Sequence, residues 1–124
     1  MTAQKPLRGQ IANAYGRMAE EAVTRHYQQT GHQLLASRWR GQAGEIDLIF
    51  QKGDGFVFVE VKAARDHSAA AARLSRAQMN RICLAATEFV ATQPKGQLSD
   101  MRFDAALVGG MGRVQVIEAA FGTS

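Results

Sequence analysis

The chain's 124 residues fit one domain spanning residues 1–124 around one core, and no second domain is expected. Hydrophobic residues at 46% and charged residues at 21% exclude a disordered polymer. Fifteen Lys and Arg against eleven Asp and Glu leave a formal charge of +4, and eleven of the fifteen are Arg, whose planar fork suits phosphate; a polyanionic partner therefore competes with plain surface solubility.

Residues 1–14 carry Lys5 and Arg8 but no continuous apolar core, unlike a signal peptide, and no apolar run approaches the roughly 18 residues of a membrane span. No membrane association is expected. Ile11, Tyr15, Met18, Ala19, Ala22, Val23, His26 and Tyr27 recur at helical spacing and predict a first helix closed by Gly31, with His26 as a partly buried packing residue. Residues 34–40 read as a strand and 41–44 as a turn. Residues 45–51 and 56–62 are rich in Ile, Val and Phe and predict two strands joined at Lys52, Gly53, Asp54 and Gly55.

Residues 63–72, with Arg65, Asp66 and His67, read as a loop. A second helix is predicted over 71–92, with Leu74, Ile82, Ala85, Ala86, Phe89 and Val90 inward and Pro94 and Gly96 closing it. Cys83, the only cysteine, falls in this helix as a small core residue; no intrachain disulfide is possible, which fits a reducing cytoplasm. Residues 102–108 and 113–117 predict two more strands around Gly109, Gly110 and Gly112. The order α-β-β-β-α-β-β describes an α/β sandwich, a central mixed sheet flanked by helices.

The chemistry concentrates on the hairpin. Alternation along a strand puts Glu45, Asp47 and Ile49 on one face, with Ile46, Leu48 and Phe50 on the other; Phe58, Glu60 and Lys62 oppose Val57, Val59 and Val61. A type II′ turn at Gly53 and Asp54 sets Asp47 opposite Glu60 and Glu45 opposite Lys62, whereas a type I′ turn at Asp54 and Gly55 sets Asp47 opposite Lys62. Either register gathers Glu45, Asp47, Glu60 and Lys62 on one surface. Three carboxylates beside packed core repel one another, and a hard divalent cation such as Mg²⁺ or Mn²⁺ relieves this. The competing reading is a solvated sheet face on which Glu45 and Lys62 pair across the strands.

Gly44 to Ile49 and Phe58 to Lys62 resemble the GEIDLI and FVEVK motifs of the YraN-like family of small bacterial proteins. The likeness runs along nearly the whole chain: Gly16 and Glu20 resemble that family's first-helix pattern, Gly31 its closing glycine, Trp39 and Arg40 the stretch before GEIDLI, Arg102 to Asp104 its RFD strand, and Ala120 and Phe121 its closing residues. That family is similar to the restriction-endonuclease-like PD-(D/E)xK nucleases. The resemblance implies that fold, with Asp47 as the motif aspartate, Glu60 as the acidic residue and Lys62 as the lysine. Glu20 is similar to an extra first-helix carboxylate of some of these enzymes, reaching the sheet or else exposed. Three positions depart from the pattern. Ala63 and Ala64 stand where the family usually has Thr-Arg, with Arg65 a nearby substitute. Gln78 stands where it often has Lys, on the inward helix face where related nucleases place a polar residue. Ala19 replaces a frequent Gly, a packing change.

The implied activity is metal-dependent endonucleolytic hydrolysis of phosphodiester bonds: Asp47 and Glu60 are expected to hold Mg²⁺ or Mn²⁺, with Glu45 a further ligand unless it pairs with Lys62. Lys62 is expected to orient water or stabilise charge. Arg38, Arg40, Arg65, Arg73, Arg76 and Arg81 are candidates for contacting the backbone of nucleic acid, DNA foremost. A homodimer is the expectation from junction-resolving relatives of that fold. The alternatives are a non-catalytic nucleic-acid-binding module on the same fold, and a protein-interaction partner using the sheet edge or the first helix.

Overall fold

The structure, a computed structural model, describes residues 8–122; the N-terminal stretch 1–7 and the Ile11 side chain, both used above, lie outside the described residues. The elements in chain order are α1 (Arg8–Gln28), β1 (Gln33–Arg40), β2 (Glu45–Lys52), β3 (Gly55–Ala63), α2 (His67–Ala71), α3 (Arg76–Val90), a 3-10 turn (Gly96–Leu98), β4 (Met101–Val108) and β5 (Val114–Phe121). They form an α/β domain with one five-stranded mixed sheet, ordered β1-β2-β3-β4-β5. Only β3 and β4 are parallel, because only they are joined by helices; every other neighbour is antiparallel.

Two apolar layers sandwich the sheet. On one side Ile82, Ala85, Ala86, Phe89 and Val90 of α3 meet Ile49, Phe56, Phe58 and Phe103. On the other, Ala19, Val23 and Tyr27 of α1 meet Leu48, Phe50, Val57, Val59 and Val108. The α1 row is thus narrower than its sequence implies. Met18 and His26 sit one position off it and are exposed, so His26 is not a packing residue; Tyr15 lies on the row but a turn beyond Ala19, and is also exposed.

The second helix departs from expectation. Asp66 caps a short helix, its carboxylate accepting from the Ala69 N–H at 2.7 Å, within the stretch read as loop. Ser75 then caps α3, accepting from the Gln78 N–H at 3.1 Å, so the long helix begins at Arg76 rather than residue 71 and Leu74 precedes it. The last strand runs on through Phe121, four residues past its predicted end. Cys83 is buried in the core as expected. Among the described residues, no helix is long and apolar enough to cross a membrane.

One buried polar knot fastens α1 to β4 and β5. Asp104, fully buried, accepts from the Tyr27 hydroxyl at 2.6 Å, twice from the Arg102 guanidinium at 2.9 Å, and from the Ala119 N–H at 3.0 Å. Burial and the Asp104 charge push the Tyr27 phenol far up, which keeps it a donor. Tyr27→Phe deletes one of four donors and is expected to cost about 1.5 kcal/mol. A lowered urea midpoint with unchanged slope checks this.

Candidate metal centre

The turn decides the register. Lys52 pairs with Gly55 and Ile49 with Phe58, and Gly53 alone of the two loop residues takes a positive φ, 62°, as a type II′ turn requires. This register carries Asp47 toward Glu60. Pairing of β2 with β3 ends at Leu48 and Val59, however, and beyond it the Asp47 carboxylate takes the place of a strand, accepting from the Val61 N–H at 2.8 Å.

At this fork the simple alternation fails. Ile46 packs in the α3 layer with Ile49, not in the α1 layer with Leu48. The neighbouring edge strand explains it: Arg38, opposite Asp47 in register between the Ser37–Leu48 and Trp39–Ile46 pairs, has φ 52°, a left-handed conformation that turns the strand over. Trp39 consequently faces α3, edge-on to Phe89 at 5.5 Å. Glu88 of α3 holds the β1–β2 turn that follows, accepting from the Gln42 N–H at 2.8 Å and the Ala43 N–H at 3.0 Å. A Cβ at Gly41 would meet that carboxylate at 2.7 Å and the Trp39 ring at 2.9 Å, so a larger residue there would have to push these side chains aside.

The opened fork is a cleft of about 440 Å³, lined by Glu20, Arg38, Glu45, Asp47, Glu60, Lys62 and Gln78 among others. Glu60 is 2% exposed. Its Oε1 accepts from Lys62 Nζ at 3.1 Å and from Gln78 Nε2 at 2.8 Å, while its Oε2 is buried without a hydrogen-bond partner. Gln78 reaches it from the first turn of α3, three residues after the Ser75 cap. Burial first, and then the Asp47 charge, push the Glu60 carboxyl up to about 7, against the pull of Lys62. Burial likewise raises Asp47, opposed by its hydrogen bond from Val61. Two desolvated carboxylates thus face each other around one ammonium.

The remaining predicted residues divide. Glu20 reaches the cleft and is clamped by Arg38 Nε and Nη2, both at 3.1 Å. Glu45, the weaker candidate ligand, stands at the rim but pairs with Arg40 at 3.1 Å; the Glu45–Lys62 pair of the competing reading does not form, because Lys62 is taken by Glu60. Arg73 donates to the carbonyl of Ala63, a cleft residue, at 2.9 Å. Arg65 pairs with Asp66 at 3.5 Å, and Arg81 lays its stem beside Gly44; neither lines the cleft, nor does Arg76. Among the described residues, no three His, Cys, Asp or Glu side chains form a metal cage. Sequence reasoning missed the Val61 N–H, which no side-chain pattern announces, and the left-handed Arg38.

Residues 19–108 match the family described as uncharacterised protein family UPF0102. A UPF0102 protein of Cereibacter sphaeroides is 55% identical over 113 residues, 91% of this chain and 97% of its own. Relatives of the same description in Ruegeria pomeroyi and Ruegeria sp. are 51% identical over 115 residues (93% of this chain, 94% of theirs) and 45% identical over 122 (98% of each). Sharing sequence over nearly its whole length with these proteins, the chain belongs to the UPF0102 family.

Proposed function

We propose that this chain is a metal-dependent nuclease on a restriction-endonuclease-like sandwich, hydrolysing phosphodiester bonds of nucleic acid, DNA foremost. The observation that carries the reading is Glu60: a buried carboxylate with one oxygen held by Lys62 and Gln78 and the other left without a partner, beside the half-buried Asp47, whose carboxyl burial also raises. A buried oxygen in that state costs free energy unless a cation or proton meets it. Two carboxylates with room for water and phosphate oxygens fit Mg²⁺ or Mn²⁺, which rarely take an all-protein cage. Asp47 and Glu60 are the residues to hold the ion, with Glu45 withdrawn to Arg40.

Bound there, a divalent ion supplies Lewis acidity and a more acidic water. The chain's own groups do the rest. Gln78 fixes the Glu60 carboxylate, and Lys62 steadies the attacking water and the negative charge gathering on the phosphoryl oxygens. Water oxygen bonds to phosphorus, the bond to the leaving sugar oxygen breaks, and the proton lost by water ends on that oxygen. Arg38, with Glu20 as its counter-charge, is placed to meet a flanking phosphate.

A second reading, a nucleic-acid-binding module without cleavage, is favoured by the Lys62–Glu60 contact at 3.1 Å, which occupies the lysine. Incubation with single-stranded, double-stranded and branched DNA separates the two. The nuclease reading expects cleavage with Mg²⁺ or Mn²⁺ that EDTA abolishes. Binding indifferent to EDTA, with every substrate intact, would leave only the module.

A further inference from the structure

A second recess, about 470 Å³, lies between α1 and the edge strand β1, and it shares Glu20 and Arg38 with the cleft. The bidentate pair of these two residues is therefore a common wall. The floor is apolar, made by buried Leu48 and half-buried Leu34. Arg17 and Arg25, exposed on α1, stand over it with Arg38, opposed by Glu20 and Glu21, and Ser37 adds an exposed hydroxyl.

We propose that this recess receives the unpaired base of a nucleotide next to the bond that is cut, so that the substrate carries a single-stranded segment. The proposal rests on the cleft taking nucleic-acid phosphates, as argued above. The volume lies within the usual range for a small-ligand site. A base is flat, with an apolar face that Leu34 and Leu48 desolvate and polar edges within reach of groups such as Ser37 and Glu21. Three arginines against two carboxylates leave one net positive charge beside that floor, suited to one flanking phosphate rather than to a continuous duplex backbone. A duplex keeps its bases stacked inside and must extrude one to fill such a recess, whereas a single strand meets no such cost. Continuity through the Glu20–Arg38 wall lets one strand place a base in the recess and its phosphate in the cleft.

Anisotropy of a labelled oligothymidylate of about ten nucleotides, and of a duplex of equal length, tests this in EDTA, where nothing is cut. Ser37→Trp fills the recess from an exposed strand position. It is expected to weaken the single strand roughly tenfold, about the effect of losing one stacked base, and to leave the duplex within about threefold. Arg17→Ala with Arg25→Ala, both on the exposed helix surface, is expected to lower the slope of log affinity against log salt by about 0.7 for the single strand, the loss of one phosphate contact. Equal losses for both ligands, no loss for either, or no binding of the single strand overturns the proposal. Binding through the recess without cleavage in Mg²⁺ or Mn²⁺ removes hydrolysis from the function and leaves the recess assigned.

Discussion

Asp47→Ala and Lys62→Ala are each expected to abolish useful cleavage, and by routes that a metal titration tells apart. Asp47 is half of the carboxylate pair and also caps the β3 backbone through Val61. Its loss is expected to lower Mn²⁺ affinity by at least about 100-fold, since even disturbing outer partners of a metal site costs 10–100-fold. Cleavage then falls below detection. Lys62 instead competes for Glu60, so Lys62→Ala keeps or tightens the metal while the rate drops about 10²–10³-fold, as when one donor to developing charge is removed. Calorimetric titration with Mn²⁺ and initial rates on one DNA substrate give both numbers. Lys62→Ala within about tenfold of the parent rate would remove the lysine from the chemistry.

Asp47, Glu60 and Lys62 could be placed near one another from the sequence because GEIDLI and FVEVK lie on strands whose register one turn fixes, and all three line the same cleft. Gly53, Asp54 and the two apolar runs leave two registers open, and a positive φ at the first loop glycine chooses between them. The same local rules could not show where alternation would fail. Ile46 crosses to the other layer because a non-glycine residue in the neighbouring strand takes a left-handed conformation, and no propensity foretells that for Arg38. The helix break has a sequence signal: Asp66 and Ser75 are capping residues, and Ser75 with Gln78 has capping-box spacing. Gln78 is drawn from that box into the site, where its amide donates to Glu60 instead. Ion-pair choice was the least legible of all. Glu45 had Arg40 and Lys62 both within strand reach, and only burial of Glu60 decides that Lys62 goes inward.

That burial carries the second large expectation, measured in EDTA. Glu60 titrates near 4.5 in an unfolded chain and at about 7 in the folded one, so between those values the native state holds the extra proton. Stability contributed by the protonated form is full below about 4.5, falls as pH rises toward 7, and is gone above it; the displacement amounts to on the order of 3 kcal/mol. Asp47, also raised by burial, acts in the same direction. His32, lowered by burial, acts oppositely over the neighbouring range, so the comparison must be made against a variant rather than against pH alone. Glu60→Gln keeps the shape, cannot ionise, and offers Asp47 a donor. It is expected to melt roughly 10 °C above the parent at pH 8 and to match it near pH 5. Added Mg²⁺ should close much of that gap for the parent at pH 8, since a cation replaces the proton between the two carboxylates, and should leave Glu60→Gln nearly unmoved. Parent and variant melting together from pH 5 to 8, with no response to Mg²⁺, would mean that Glu60 is a satisfied core residue and that the centre holds no ion.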